Sequence, residues 1–228
     1  MQPPTEPRAF LTEDSPTAAT WDYARGQLDA EQAVRHDSDR MPTVVLRIAN
    51  VYDEDCCAPF LVYFIRRIYE QHLGSHVFPG ELTHGQAFIH LDDLSACFRT
   101  VVARRHALDA HELFLIAEPG IVTYGELAEI GGPLLHEQGT VLLPIPKVLA
   151  KVGAWVQEQI GDETKEPLAT PWAVNFADVH YPVAINRARE RLGWIPHRNL
   201  RDTLPEMVRR LRQDPARWYS LNGLALHG

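Results

Sequence analysis

One stretch decides how the rest of the chain is interpreted: Trp21-Asp22-Tyr23-Ala24-Arg25-Gly26-Gln27-Leu28-Asp29-Ala30-Glu31-Gln32-Ala33-Val34. Its apolar and polar residues recur at intervals of three and four, which predicts a single helix. Positions four apart on a helix lie one above the other, so Tyr23 and Gln27 share a face. A phenol and an amide therefore point in one direction, and a lysine at position 27 would make the pair a proton donor.

The stretch Thr43–Ile48 predicts a strand, which a polar loop separates from the helix. Its apolar residues run on without alternation, a pattern typical of a parallel strand covered by helices on both sides. The stretch Ala58–Leu73 repeats its apolar residues on one helical face and predicts a helix closed by Gly74. Asp92 or Asp93 is expected to cap the next helix.

The second half of the sequence is mostly helical in its pattern. Thr123 and Glu126 have the spacing of a capping box. Gly193 and Pro196 stop a helix that Asn186 is expected to cap. The remaining predicted elements are helices over Asp93–Arg105, Thr123 to about Ile130, Pro146 to about Gly161, Leu200–Arg212 and Asp214 to Asn222, and strands over Glu112–Ala117 and Thr140–Leu143.

Four segments resemble one family in family order. The first is the Tyr23 helix, in which Tyr23 and position 27 have the spacing of a Tyr-x-x-x-Lys motif. The other three are Arg47-Ile48-Ala49-Asn50-Val51-Tyr52, Phe88-Ile89-His90-Leu91-Asp92-Asp93-Leu94 and Leu192-Gly193-Trp194-Ile195-Pro196. The family is the extended short-chain dehydrogenases/reductases, the nicotinamide-dependent epimerases and dehydratases. The resemblance implies an α/β fold, a partial Rossmann-type parallel sheet with a helix-rich C-terminal lobe that binds substrate.

The resemblance also implies roles for particular residues. Tyr23 is the expected acid/base and lies beside the cofactor, with Gln27 at the position of the family's lysine. Ile48 lies where the family's strand passes the nicotinamide, and Asn50 is the expected substrate contact. Gln86 occupies the position of an arginine that grips a diphosphate in nucleotide-sugar members. The alternatives are a packed aromatic for Tyr23, a strand-end turn residue for Asn50 and a plain surface residue for Gln86.

Three features of the family are missing from this sequence. It has no Gly-rich dinucleotide loop, whose glycines allow a pyrophosphate to approach a helix N-terminus. The catalytic Ser/Thr and the lysine are also missing. Residues 1–20 are rich in proline and predict an irregular lead-in. Because the three features are missing, we expect residues 21–228 to be the C-terminal part of a longer fold. The cofactor implied is NAD or NADP, and its binding by this chain is in question.

Composition limits the class of partner. A net charge of -8 and a pI of about 5.7 exclude general binding to nucleic-acid phosphates. No apolar run is long enough to span a membrane. Three cysteines, two of them adjacent, form neither a disulfide framework nor a metal pair, so a reducing cytoplasm is expected. The histidine pairs His72/His76 and His84/His90 are expected to hold no metal.

Two hypotheses of function follow from the neutral residue at position 27. A positive charge about 4 Å from a phenolate, at an effective dielectric near 20, stabilises the phenolate by up to about 4 kcal/mol and so lowers the pKa of the phenol by up to about 3 units. A neutral amide at position 27 gives up most of that shift. The chain is either an NAD(P)-dependent oxidoreductase acting on a small-molecule substrate, incomplete and impaired, or a non-catalytic relic or binding protein. A homodimer through Trp21–Val34 and Ala58–Leu73 is a further expectation.

Overall fold

The structure is a computed structural model that describes residues 10–19, 22–38, 40–71, 76–136, 139, 141–145 and 179–224. The helices are α1 (Asp22–His36), α2 (Pro59–Glu70), α3 (Leu91–Arg104), α4 (Tyr124–Leu135), α5 (Leu200–Gln213) and α6 (Pro215–Leu221), with a 3-10 turn over Arg105–Ala107 and a π-helix over Ala188–Leu192. The strands are β1 (Thr43–Ile48), β2 (Asn50–Tyr52), β3 (Val77–Pro79), β4 (Gly85–Gln86), β5 (Phe88–His90), β6 (His111–Ile116), β7 (Val122–Thr123) and β8 (Leu143–Ile145).

The chain divides into two units. The first comprises residues 1–51, 87–121 and 181–199, and the second comprises residues 52–86, 122–180 and 200–228.

A parallel strand pair lies at the centre of the first unit. β1 and β6 pair in register from Thr43 opposite His111 to Ile48 opposite Ile116, which confirms the predicted parallel sheet. The expected cover on both faces of β1 is present but partial in the part of the chain that the structure describes: α1 packs on the strand, and Val44 and Leu46 pack against the core. No β1 residue is buried, and Ile48 is 40% exposed.

The core of the first unit lies on the other elements around this pair. Its buried side chains come from β5, α3, β6 and the segment after residue 184, and they include Ala87, Ile89, Leu94, Cys97, Phe114, Ile116, Ala117, Ile185, Ala188, Leu192 and Trp194. The β1 side chains Val44 and Leu46 pack against it. The core therefore depends on residues that are distant in sequence, since the last segment returns to cover a strand about 80 residues earlier.

The outer edge of β6 is occupied by the first described residues. Leu11 forms a parallel bridge with Val183, and the buried Glu13 carboxylate accepts the Leu115 backbone N–H at 3.1 Å. The Arg187 guanidinium donates to both Asp14 carboxylate oxygens, at 3.1 and 3.2 Å. A side chain thus satisfies a strand-edge donor that would otherwise need water or another strand.

The described residues of the second unit are mainly helical. α4 packs against α2 and α5, and α6 packs against α5. The predicted capping box at α4 is confirmed: the Glu126 N–H donates to Thr123 Oγ1 at 3.1 Å, and the Thr123 N–H donates to Glu126 Oε2 at 2.8 Å. Burial alone would raise the pKa of Glu126, but the hydrogen bonds from Thr123 and Arg201 outweigh it and lower the pKa. The same carboxylate therefore caps α4 and pairs with α5.

Several predicted boundaries shift in the structure. α4 continues through Pro133 to Leu135. The strand predicted over Thr140–Leu143 corresponds to β8, which spans Leu143–Ile145. Asn186 is wrong as a cap, since it is already helical, whereas Gly193 ends the π-helix with a φ of 61° as predicted. Trp21, Gly74 and the predicted helix from Pro146 lie outside the described residues.

Within the described residues, no helix combines the length and apolarity needed to cross a bilayer.

Candidate active site

The predicted helix carrying Tyr23 and Gln27 is present as α1. Its half-buried residues are Ala24, Leu28 and Glu31, which repeat at helical spacing and form its packing face. Tyr23 is 72% exposed and Gln27 is also exposed, because both lie on the flank of that face. The alternative that Tyr23 is a packed aromatic is therefore wrong. The phenol and the amide both face solvent.

The end of β1 carries the other two predicted residues of the first unit. Ile48 is the last residue of the strand and is exposed. Asn50 follows it, and both its backbone N–H and its side-chain Nδ2 donate to the Ala87 carbonyl oxygen, at 3.3 and 3.2 Å. This double contact fixes the backbone at the carboxyl end of β1, which is the edge where parallel sheets place their ligands.

Gln86 belongs to the second unit and is buried, with 5% exposure. Its Nε2 donates to the Tyr124 hydroxyl at 3.3 Å, and that hydroxyl donates to the Val179 carbonyl at 3.0 Å. The alternative of a plain surface residue is therefore wrong. The amide supports a buried tyrosine whose ring lies 5.2 Å from Phe60 and 4.8 Å from Phe78.

An ion pair that the sequence analysis missed joins α1 to β1. The Arg47 guanidinium binds Glu31 through two parallel hydrogen bonds, Nε to Oε2 at 3.0 Å and Nη2 to Oε1 at 2.6 Å. Both side chains are mostly covered, with exposures of 16% and 22%. The available signal was the spacing, since Glu31 continues the row of Tyr23 and Gln27 by one more step of four.

The aspartates after β5 have roles that the sequence analysis misassigned. His90 caps α3 instead of Asp92 or Asp93, because its Nδ1 accepts the Asp92 N–H at 3.1 Å. The Asp93 carboxylate is buried and accepts the backbone N–H groups of His197 and Arg198, at 3.0 and 2.7 Å. The expected cap is therefore wrong, because the Asp93 side chain points into the unit, toward a segment about 100 residues later in the sequence.

The histidines that could suggest a metal have other contacts. The His84 and His180 rings lie 5.3 Å apart, and burial followed by the charge of His84 lowers the pKa of His180. His90 Nδ1 is occupied by the Asp92 N–H. His72 lies outside the described residues.

The cysteines are free thiols with low reactivity. Burial raises the pKa of Cys97 to about 11. Burial and the nearby Asp53 carboxylate raise the pKa of Cys57 to about 11. Since the thiolate is the reactive form, these thiols stay protonated at neutral pH and are poor nucleophiles.

A dinucleotide cofactor can be tested against these residues. Tyr23, Ile48 and Asn50 could flank a nicotinamide, since α1 packs on β1 and Asn50 lies at the strand's carboxyl end. The exposed Gln27 supplies no charge, and the sequence contains no Gly-rich loop for a pyrophosphate. The sequence therefore lacks the usual cradle for the phosphates of such a cofactor.

Comparison with known proteins places this site in context. The family model described as "NAD dependent epimerase/dehydratase family" matches residues 1–117. No curated protein matches the sequence.

Solved structures share the fold. The chain superposes with a TM-score of 0.65 on dTDP-glucose 4,6-dehydratase from Bacillus anthracis str. Ames in complex with NAD, at 15% identity over 94% of this chain and 59% of that chain. UDP-glucose 4-epimerase from Bifidobacterium longum, in complex with NAD+ and UDP, gives a TM-score of 0.61 at 15% identity over 94% and 60%. The dTDP-glucose 4,6-dehydratase from Streptomyces venezuelae, with NAD bound, gives 0.61 at 17% identity over 93% and 57%.

The chain spans about three fifths of the length of these structures. Likeness at such low identity shows the fold alone. The predicted α/β fold with a Rossmann-type sheet is confirmed.

Proposed function

Because the chain belongs to the NAD dependent epimerase/dehydratase family, we propose that it carries the proton-transfer and substrate side of an NAD(P)-dependent oxidoreductase of epimerase or dehydratase type. Tyr23 is the proposed acid/base, and Asn50 is the proposed substrate contact. The pyrophosphate end of the cofactor requires a Gly-rich loop that none of residues 1–228 provides.

One observation carries this proposal: a tyrosine at the family's acid/base position is presented to solvent rather than packed. Tyr23 is 72% exposed on a helix that packs on β1, the strand that leads to Asn50. We place this phenol toward the carboxyl end of β1, the edge at which parallel sheets bind their ligands, so that it can reach a substrate bound there. A cofactor bound there would supply the hydride transfer, while Tyr23 would hold or move a proton at its hydroxyl oxygen.

Gln27 favours a second candidate function. A neutral amide can donate a hydrogen bond to a phenolate but supplies none of the charge that stabilises it. Proton transfer by Tyr23 is therefore expected to be slow at neutral pH. On this second hypothesis the chain is a relic or binding protein that keeps the family's scaffold without transferring hydride.

Isothermal titration calorimetry with NADH and NADPH tests the relic hypothesis. We expect no micromolar binding to residues 1–228 alone, because no backbone cradle for the phosphates is encoded. Micromolar binding would contradict the relic hypothesis. The matched control is the same titration with Tyr23→Phe, which keeps the ring and removes only the hydroxyl.

The substrate class follows from Gln86 as a proposal. The relatives above include enzymes solved with UDP, but a buried neutral amide that is bonded to Tyr124 holds a diphosphate poorly. We therefore propose a small-molecule substrate that is not gripped at this position by charge. If position 86 faces substrate, Gln86→Arg should increase the affinity of this protein for UDP-glucose. If Gln86 serves Tyr124 alone, the affinity should stay unchanged.

A homodimer and a cytoplasmic location also stand as proposals. α1 has no buried residue, so its outer surface is available to a second copy. Light scattering that gives a monomer at all concentrations would reject the dimer. The exposed free thiol of Cys57 supports a reducing compartment.

A further inference from the structure

The strongest unassigned feature of the first unit is the Glu31–Arg47 ion pair. α1 has no buried residue. Within the described part of the chain, no side chain of α1 other than Glu31 hydrogen-bonds to a residue beyond the helix and its following turn. Weak apolar contacts hold a helix against a strand but tolerate sliding along its axis. A bidentate pair does not, because both N–H groups of Arg47 must face both oxygens of Glu31.

The pair is a poor choice if its purpose is stability alone. Arg47 Nη1 is buried and has no hydrogen-bond partner among the described residues, which costs free energy. Covered ion pairs often add little stability compared with apolar residues of similar size. Their best-supported use is to fix which of several packings is adopted.

The heights of the two site residues follow from this contact. Tyr23 lies eight residues before Glu31, which is about 12 Å along a helix at 1.5 Å per residue. Asn50 lies three residues after Arg47, which is about 10 Å along an extended strand at 3.3 Å per residue. A short connection such as residues 37–42 is typical of a helix that runs antiparallel to the strand it leads into. Tyr23 and Asn50 then lie on the same side of the ion pair along the strand axis, at similar distances from it.

We propose that the Glu31–Arg47 pair is a register pin: it fixes the axial position of α1 against β1 and thereby holds Tyr23 level with Asn50. Glu31 and Arg47 are positioning residues, since neither is placed at the reacting atoms. The functional half of this inference rests on the proposed role of Tyr23. The geometric half does not, and it can be tested without any activity.

The geometric test measures how close position 23 lies to Asn50. A nitroxide is attached to Tyr23→Cys in a Cys57→Ser background, since Cys56 and Cys97 are buried. The side-chain amide signal of Asn50 is then followed by NMR. We expect strong broadening in the parent, loss of broadening in the double variant Glu31→Leu/Arg47→Met, and recovery in the charge exchange Glu31→Arg/Arg47→Glu.

Thermal unfolding of the same variants separates a pin from a simple stabilising contact. The apolar double variant is expected to keep the parent's unfolding midpoint while losing the broadening. Broadening that persists in this variant would overturn the proposal, whatever happens to stability. A variant that unfolds under the assay conditions is replaced by Arg47→Lys, which keeps the charge but loses the fork and is expected to weaken the broadening.

The functional half is tested by measuring turnover with NADH or NADPH in a form of the protein that retains Tyr23 and binds the cofactor. Misplacing a catalytic group by about 1 Å can cost about 10²-fold in rate. We therefore expect Arg47→Met to lower kcat by about that factor with little change in KM, and the charge exchange to restore it. Unchanged kcat in a variant that has lost broadening would overturn the functional half. If even the parent shows no turnover, the proposed function fails, while the NMR result still decides the register.

Discussion

The junction of α3 with residues 193–198 and the exposed flank of α1 both carry motifs of the family, yet they use their polar groups in opposite ways. At the junction, the Asp93 carboxylate accepts two backbone N–H groups and the Asp93 carbonyl accepts the Trp194 indole N–H at 3.1 Å. On α1, Tyr23 and Gln27 face solvent. A motif whose partners lie in the same chain is satisfied on folding. The α1 motif finds no such partner among the described residues, and its proposed partners are cofactor and substrate.

The largest effect is expected at Asp93. Asp93→Ala removes a buried carboxylate that accepts two partly covered N–H groups, so we expect the free energy of unfolding to fall by about 3 kcal/mol. Urea denaturation measures this. The adjacent Asp92→Ala is the matched control: its side chain is 70% exposed, lies 3.7 Å from His90 Nδ1 and pairs with the half-exposed Arg198, so a loss below about 1 kcal/mol is expected. Equal losses at the two positions would break the comparison.

Trp194→Phe is expected to cost about 2 kcal/mol, because it removes the indole N–H from a buried carbonyl and leaves a small cavity. Trp194 is 4% exposed, whereas its neighbour Ile195 is 48% exposed. Ile195→Ala should therefore change the unfolding free energy by less than about 0.5 kcal/mol. A tryptophan variant as stable as the parent would show that the junction does not depend on this bond.

Gln27→Lys sharpens the comparison from the other side. In a protein supplied with the dinucleotide-binding segment, a lysine beside Tyr23 should raise the reductase rate at neutral pH by about tenfold or more. Gln27→Met is the control for length without charge and should give no gain. A lysine variant with the parent's rate would mean that the amide is not the defect. The broadening at Asn50 in the same variant is the control, because it shows whether the new lysine has displaced Arg47 from Glu31.

The smallest effect is expected at Tyr23 itself. Tyr23→Phe should change the free energy of unfolding by less than about 0.5 kcal/mol, because the side chain is exposed. Tyr124→Phe is the contrasting variant, since its buried hydroxyl donates to the Val179 carbonyl, and it should cost about 1 kcal/mol. A large loss at Tyr23 would indicate that its hydroxyl is structural.

Local signals in the sequence predicted local structure well. The Thr123/Glu126 spacing gave the cap of α4, and the glycine at 193 marked a left-handed helix end, because both depend only on neighbouring residues. The continuous apolar run at Thr43–Ile48 gave a parallel strand, although not its degree of burial. Burial depends on which distant segments pack there, and a run of six residues carries no information about them.

The candidate site was predictable only where the family's motif names a position. Tyr23 and Asn50 are proposed in this way, whereas the direction of the Asp93 side chain and the burial of Gln86 were not predicted. Both depend on contacts with residues far along the chain, His197 for Asp93 and Tyr124 for Gln86. The Glu31–Arg47 pair was missed because a helical row of side chains does not reveal which strand it meets.

The Glu13 carboxylate at Leu115 has a consequence for how this sheet can be extended. The Thr43 and Ala49 N–H groups point toward β6, so the even-numbered donors of β1 point the other way, and none of them meets an acceptor among the described residues. One margin of the strand pair is closed by a carboxylate while the opposite margin still offers a ladder. An additional strand, whichever polypeptide supplies it, therefore meets open donors on the β1 side, whereas on the β6 side it would have to displace the Glu13 carboxylate at Leu115.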